Sequence, residues 1–399
     1  MKLNKWFFGA AAMAMMASCS DNYSGEPTPG TEANGSGYIS IALGLPNNAG
    51  TRANDVFGDG TDDEYKVSNL GIIFFTGRED NATFYKAYNV SEAAFDYKGP
   101  DKDQITSIKK VTFPVNITET SENLWALAVV NYTPIMSINE AGDVTLNSDN
   151  SKFTGSIKDF MKLTTKASLS TKDNFFMTNT PYVTMPGSGN FAPTGFVHFL
   201  AMVDKEKIKE TENDAKNNPA AEIFVERAVA KVIVTTSDNM ESVSDIESIE
   251  WVLDNTEPVS YVARNLVSSY DATEAPEWLT YNTGFITEAL YGYRFAGNNA
   301  FENGKNMYRI YFGIDPNGDG IGLDEKKLTV LDESAEFKPV ANGENLYPQY
   351  CYENTFDVKH QDYHNTTRAL LKVTYKDGEF YTRGIDRKTK YTFNDAAAT

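Results

Sequence analysis

Residues 38–45 alternate with period two. Ile39, Ile41, Leu43 and Leu45 fall on one face, and Ser40, Ala42 and Gly44 on the other. The same mark of a short strand recurs at 67–77, 83–90, 108–117 and 124–132, with Gly, Asn, Asp and Lys clusters between. Further along, strands are predicted over 245–256, 307–314, 350–358 and 366–384, the last folded back at Lys376-Asp377-Gly378. The stretch 220–236 reads as a strand pair or one bent strand. Two segments read as helix. One is 156–167, with Ile157, Phe160 and Met161 at helical spacing. The other is the charged run 202–219, which stops before Pro219. Short strands at this spacing predict an antiparallel sandwich or barrel, a mainly β protein with a few short helices. The charged run marks a boundary between an N-terminal domain, 38–218, and a C-terminal domain, 219–399.

The pattern of residues 1–19 is an address rather than a fold. Lys2 and Lys5 precede an uncharged apolar run from Trp6 to Ala17, too short to span a bilayer as a helix. Ala17 and Ser18 then lead to Cys19. Together these resemble a bacterial lipoprotein signal, in which Cys19 becomes the lipidated first residue and ties the protein to a membrane surface. Met16, three before the cysteine, departs from the usual leucine, and the alternative is a plain secretory peptide cleaved near an Ala-x-Ala-like site. Ser20-Asp21-Asn22 resembles the surface-export tag of Bacteroidetes lipoproteins. Residues 20–37, rich in Gly, Pro, Ser and Thr, read as a flexible tether. Residues 46–60, which follow the first strand, form a polar loop carrying Arg52 and Ala53. Small and polar neighbours let a protease extend such a loop into its cleft.

Composition narrows the functions available. The chain of 399 residues has 36 Lys and Arg against 55 Asp and Glu, a formal charge of −19. A surface so acidic repels phosphate backbones, which excludes nucleic acid as a partner. Of its two cysteines, only Cys351 lies beyond the address, so no intrachain disulfide is expected and Cys351 reads as a small buried hydrophobe. No catalytic constellation stands out, and the chain does not read as an enzyme. His198, His360 and His364 lack metal-site spacing, Ser188 lacks a nucleophile-elbow context, and no phosphate-binding loop is present. One cation motif stands apart. Asp315, Asn317, Asp319 and Gly320 match the first half of a calcium loop, but position twelve is Lys326 rather than a bidentate Glu. The competing reading is a Gly/Asn/Asp hairpin turn. Calcium is therefore the one cofactor candidate, and otherwise none is expected.

Three stretches carry a family resemblance. The first is the lipoprotein start with a detachable strand and the Arg52–Ala53 junction. The second is "VERAVAKVIV" (225–234). The third and most specific is "YCYENTFDVKHQDYHNTTRALLKVTY" (350–375). Together they resemble the Bacteroidales fimbrillins, the type V pilin subunits, and within them the major subunits of short fimbriae. The resemblance implies two transthyretin-like β-sandwich domains. It implies a lipoprotein precursor that reaches the outer membrane surface, where an arginine-specific protease cuts after the first strand. It also implies assembly by strand exchange: loss of 38–45 opens a groove that another fimbrial subunit's C-terminal segment fills, in a filament serving adhesion. Burying Ile39, Ile41, Leu43 and Leu45 represents about 6–12 kcal/mol of gross stabilisation that a donor strand would recover. The alternative is a non-polymerising surface lipoprotein, an anchor or tip adhesin that binds host protein or glycan. The C-terminal residues do not look like such a donor, because Arg, Lys and Asp interrupt the short alternations Phe380/Thr382 and Tyr391/Phe393. Either the natural chain continues past Thr399, or the protein terminates a filament or uses another donor.

Overall fold

The computed structural model describes residues 36–46, 64, 66–90, 106–117, 122–166, 170–171, 174–179, 182–184, 194–236, 245–263, 265–268, 285–287, 308–311, 331, 334–341, 347–354, 366–383 and 392. Cys19, Arg52, Ala53, Ser188, Asp315, Asn317, Asp319, His360 and His364 lie outside the described residues.

The first five strands form where the alternation places them: β1 (Ser36–Pro46), β2 (Leu70–Thr76), β3 (Thr83–Val90), β4 (Thr106–Asn116) and β5 (Leu124–Val130). They are followed by α1 (Ile157–Met161), β6 (Met177–Asn179), β7 (Ala201–Val203), α2 (Glu212–Asn217) and β8 (Ala221–Arg227). Eight strands make the main sheet, in the order β3, β2, β5, β6, β8, β1, β4, with β7 also paired to β5. Every pair in it is antiparallel except β1 with β8. β8 lies past residue 219 yet belongs to this sheet, because a pairing partner and not composition decides which sheet a strand joins.

β2 and β5 are buried on both faces, which is why they read as unbroken apolar runs. On one face Ile73, Phe75, Trp125 and Leu127 join a core closed by Phe153, Phe160 and Met161. Phe75, Phe153 and Phe160 meet edge-to-face at 5.7–6.5 Å, worth about 0.5–1.5 kcal/mol per pair beyond their burial. On the other face Ile72, Phe74, Leu124 and Ala126 share a second core with β1, β4 and β8. The sheet curls around that second core until its two end strands touch. Tyr88 of β3 packs on Phe113 of β4 at 5.7 Å, and its hydroxyl accepts from the Asn116 amide at 2.9 Å. Burial pushes the Tyr88 phenol pKa up.

Both predicted helices come out shorter. Ser156 and Asp159 form a reciprocal cap at the start of α1, and the Ser156 backbone N–H holds the Asp159 carboxyl below the usual carboxylate range. Ile157, Phe160 and Met161 are buried as their spacing requires. The helix then stops, because Thr164 and Thr165 pair with Tyr261 and Ser260. In the charged run, Ala201–Val203 is drawn onto β5, so only Glu212–Asn217 is left as α-helix.

Beyond β8 come β9 (Ala230–Val232), β10 (Ile246–Asp254), β11 (Lys338–Pro339), β12 (Gln349–Cys351), β13 (Arg368–Tyr375) and β14 (Gly378–Arg383). The stretch 220–236 is therefore two strands in two sheets. The order β11, β10, β13, β14 makes a second sheet, and β9 pairs with β12. Trp251, Leu253 and Val340 pack on one face of the second sheet against Val232, Val234 and Cys351. Val252 and Leu370 pack on the other. The β13–β14 turn falls at Lys376 and Asp377, and Gly378 takes φ +149°, where L residues are strained.

Candidate functional site

β1 lies inside the sheet, not at its end. It pairs antiparallel with β4 from Ser36 against Asn116 to Pro46 against Thr106. Its other edge is also taken. The Tyr38 amide donates to the Lys209 carbonyl at 2.7 Å, and the Lys209 amide donates back at 2.9 Å. The Ala220 amide donates to the Ser40 carbonyl at 2.7 Å, and Ile41 to Gly44 run parallel with Ala221 to Phe224. Ile39, Ile41 and Leu43 are each fully buried, among Val111, Phe113 and Val115 of β4 and Ile223 and Val225 of β8. Leu45 pairs through its backbone with Ser107, and its side chain lies outside the described residues.

The second face of β1 is covered as well. Ser40 is fully buried, Ala42 is 8% exposed and Gly44 is buried. The Thr112 hydroxyl donates to Ser40 Oγ at 3.2 Å. α2 lies against β1 and β4, and Ala215 is its one buried residue. β1 thus fills a slot with two hydrogen-bonding walls, an aliphatic floor and a tight roof.

The chain re-enters the described region just beyond the polar loop, at Glu64. Glu64 is 3% exposed. Its carboxylate accepts from the Tyr350 hydroxyl at 2.7 Å and stands 2.7 Å from Lys231 Nζ. Its carbonyl accepts from Arg227 Nε at 3.0 Å and Nη2 at 2.7 Å. Arg227 ends β8, the wall of the slot, while Tyr350 and Lys231 belong to β12 and β9. Sequence reasoning missed this hub. A single Glu in an acidic chain carries no local mark of burial.

No protein-family model matches the chain, and no curated protein matches it. Among solved structures, a candidate cell adhesion protein from Parabacteroides distasonis is similar over 87% of this chain and 79% of its own, at 10% identity and a TM-score of 0.40. A fimbrial assembly protein from the same species is similar over 87% and 85%, at 11% identity and a TM-score of 0.38. A candidate adhesin from Bacteroides thetaiotaomicron is similar over 86% and 78%, at 10% identity and a TM-score of 0.27.

The most specific sequence block has a structural role. The Asn354 amide donates to the Thr367 hydroxyl at 2.9 Å, and that hydroxyl donates to the Asn255 carbonyl at 2.8 Å. Asn255, at φ +62°, donates its side-chain amide to the Thr366 carbonyl at 3.2 Å. Arg368 Nη2 lies 2.9 Å from Asp254 Oδ2, both side chains almost wholly buried. The Asn-Thr and Thr-Thr-Arg segments are a polar clasp on the end of β10. Arg78, a second arginine after a strand, is exposed two residues beyond β2, whose first six residues are all buried. A surface cleft of about 390 Å³ has Asn147, Ser148, Thr164, Thr165 and Lys166 in its lining. Among the described residues of its lining, Lys166 is the one ionisable group. Among the described residues no helix is long and apolar enough to cross a membrane.

Proposed function

We propose that this chain is a structural subunit of a cell-surface fimbria that polymerises by exchange of its first strand. It is exported as a lipoprotein tethered to the outer membrane through Cys19, and an arginine-specific protease cuts it between Arg52 and Ala53. A strand from another fimbrial subunit then takes the place of β1, and the filament serves adhesion. One observation carries this reading: β1, the first strand of the fold, fills a slot between β4 and β8, with an arginine-bearing polar linker behind it. Losing an end strand would only shorten the sheet. Losing β1 leaves two unpaired walls and an open aliphatic floor, which another strand closes best by main-chain pairing and burial together. The Glu64 hub supports the same reading, since it pins the chain beyond the cut and lets the strand leave while the body stays folded. The resemblance of residues 350–375 to the fimbrillins points the same way.

Limited digestion with an arginine-specific protease tests it. The expected result is separation of residues 19–52 from the body and the appearance of SDS-resistant ladders, both lost in Arg52→Ala. A chain that stays monomeric after release of the segment would instead be an anchor or tip adhesin.

A further inference from the structure

We infer that the slot around β1 selects its occupant by small residues as much as by large ones: it takes a strand from a second subunit that alternates large aliphatic side chains with Ser, Ala or Gly. This rests on the reading that β1 is exchanged.

A sandwich strand normally shows one face to water, where almost any polar residue is tolerated. β1 has no such face. Opposite Ile39, Ile41 and Leu43 stand Ser40, Ala42 and Gly44, all buried, with α2 lying over the strand. The floor is bounded too. A Cβ at Gly37 would stand 2.9 Å from Ile208 Cγ2 and 3.1 Å from the Lys209 carbonyl oxygen. That carbonyl is fixed by its bond to the Tyr38 amide. The row of large residues therefore starts at position 39. Direction and register are set by the antiparallel ladder to β4 and the parallel one to β8. A slip of one residue would drive the large row into the face where Ser40, Ala42 and Gly44 are buried. The occupant must read Gly at 37, large at 39, 41 and 43, and very small at 40, 42 and 44. The chain's own β14 does not qualify: with Phe380 and Thr382 on the floor, Glu379 and Tyr381 would take the buried places of the small row, and the opposite register puts Glu379 on the floor.

Two measurements test the rule. In the first, protein cut after Arg52 and freed of its strand is titrated with synthetic peptides of residues 36–46. The native peptide and Ala42→Ser are expected to bind alike. Ser40→Leu and Ala42→Leu are each expected to bind about tenfold more weakly or worse, the effect of one overpacked side chain. Equal binding of the Leu peptides overturns the rule. In the second, intact uncut chains carrying the same substitutions are melted. Ala42→Leu is expected to lower the midpoint by ~3 °C or more and Ala42→Ser to leave it unchanged, whereas an unchanged Ala42→Leu midpoint overturns the rule. If the cut chain never releases its strand, the exchange reading fails and the second measurement decides the rule alone.

Discussion

Cys351 and Tyr352 show what burial does to single groups. Cys351 packs beside Trp251, and burial pushes its thiol pKa up. Burial also pushes the Tyr352 phenol from 10.0 up to about 12. In both cases the fold favours the protonated form. Stability is therefore full while both groups are protonated in the unfolded chain, and falls as pH rises from the unfolded values toward the folded ones. An unfolding midpoint followed from pH 8 to 12 is expected to drop, and Tyr352→Phe is expected to flatten the drop above pH ~10. The sequence reading of Cys351 as a small hydrophobe agrees with its packing, although it is only partly buried. The Asp254–Arg368 pair was not legible, because neither residue's neighbours announce a buried partner more than a hundred positions away.

The strands were legible because their alternation is written in adjacent residues. β1 has the expected face, and Ile41→Ala is expected to cost about 2–5 kcal/mol in denaturant unfolding of the intact chain. Lys110→Ala, at an exposed position of β4 opposite Ala42, should cost less than about 0.5 kcal/mol. A similar cost at both positions would mean that β1 is not seated in the core. Burial of the opposite face was not legible. Ser, Ala and Gly suit a solvent face and a crowded one equally, and only the packing of distant segments around β1 separates the two. The helix ends were missed for a related reason: Ala201–Val203 and Thr164–Thr165 gave up helical hydrogen bonds for strands that happened to lie beside them.

Between Gly35 and Thr399 the chain forms one contact unit. The main sheet and the C-terminal strands are joined at Glu64 and by Tyr350, whose ring meets Phe175 edge-on at 4.7 Å. Tyr350→Phe removes only the hydroxyl and is expected to cost about 1 kcal/mol. Tyr350→Ala also removes the ring and is expected to cost about 3–5 kcal/mol, read in the same denaturant experiment. Equal costs for the two would mean that the ring carries none of the junction. Arg227 ties this hub to β8, so the wall of the slot and the C-terminal strands share one anchor.

The sequence by itself determined the place of β1 to β5, β10 and β13, which row of β1 faces the core, the turn at residues 376–378 and the polar loop that carries Arg52, while the strand expected over 350–358 is confined to Gln349–Cys351 within the described residues. Each depends on the spacing of neighbouring residues, which the backbone's own period reads out. Only the tertiary structure decided that β1 sits between β4 and β8, that one of those pairings is parallel, and that Ser40, Ala42 and Gly44 are buried. Those outcomes depend on which sheet edges and surfaces meet when distant segments condense, and no local pattern records that choice.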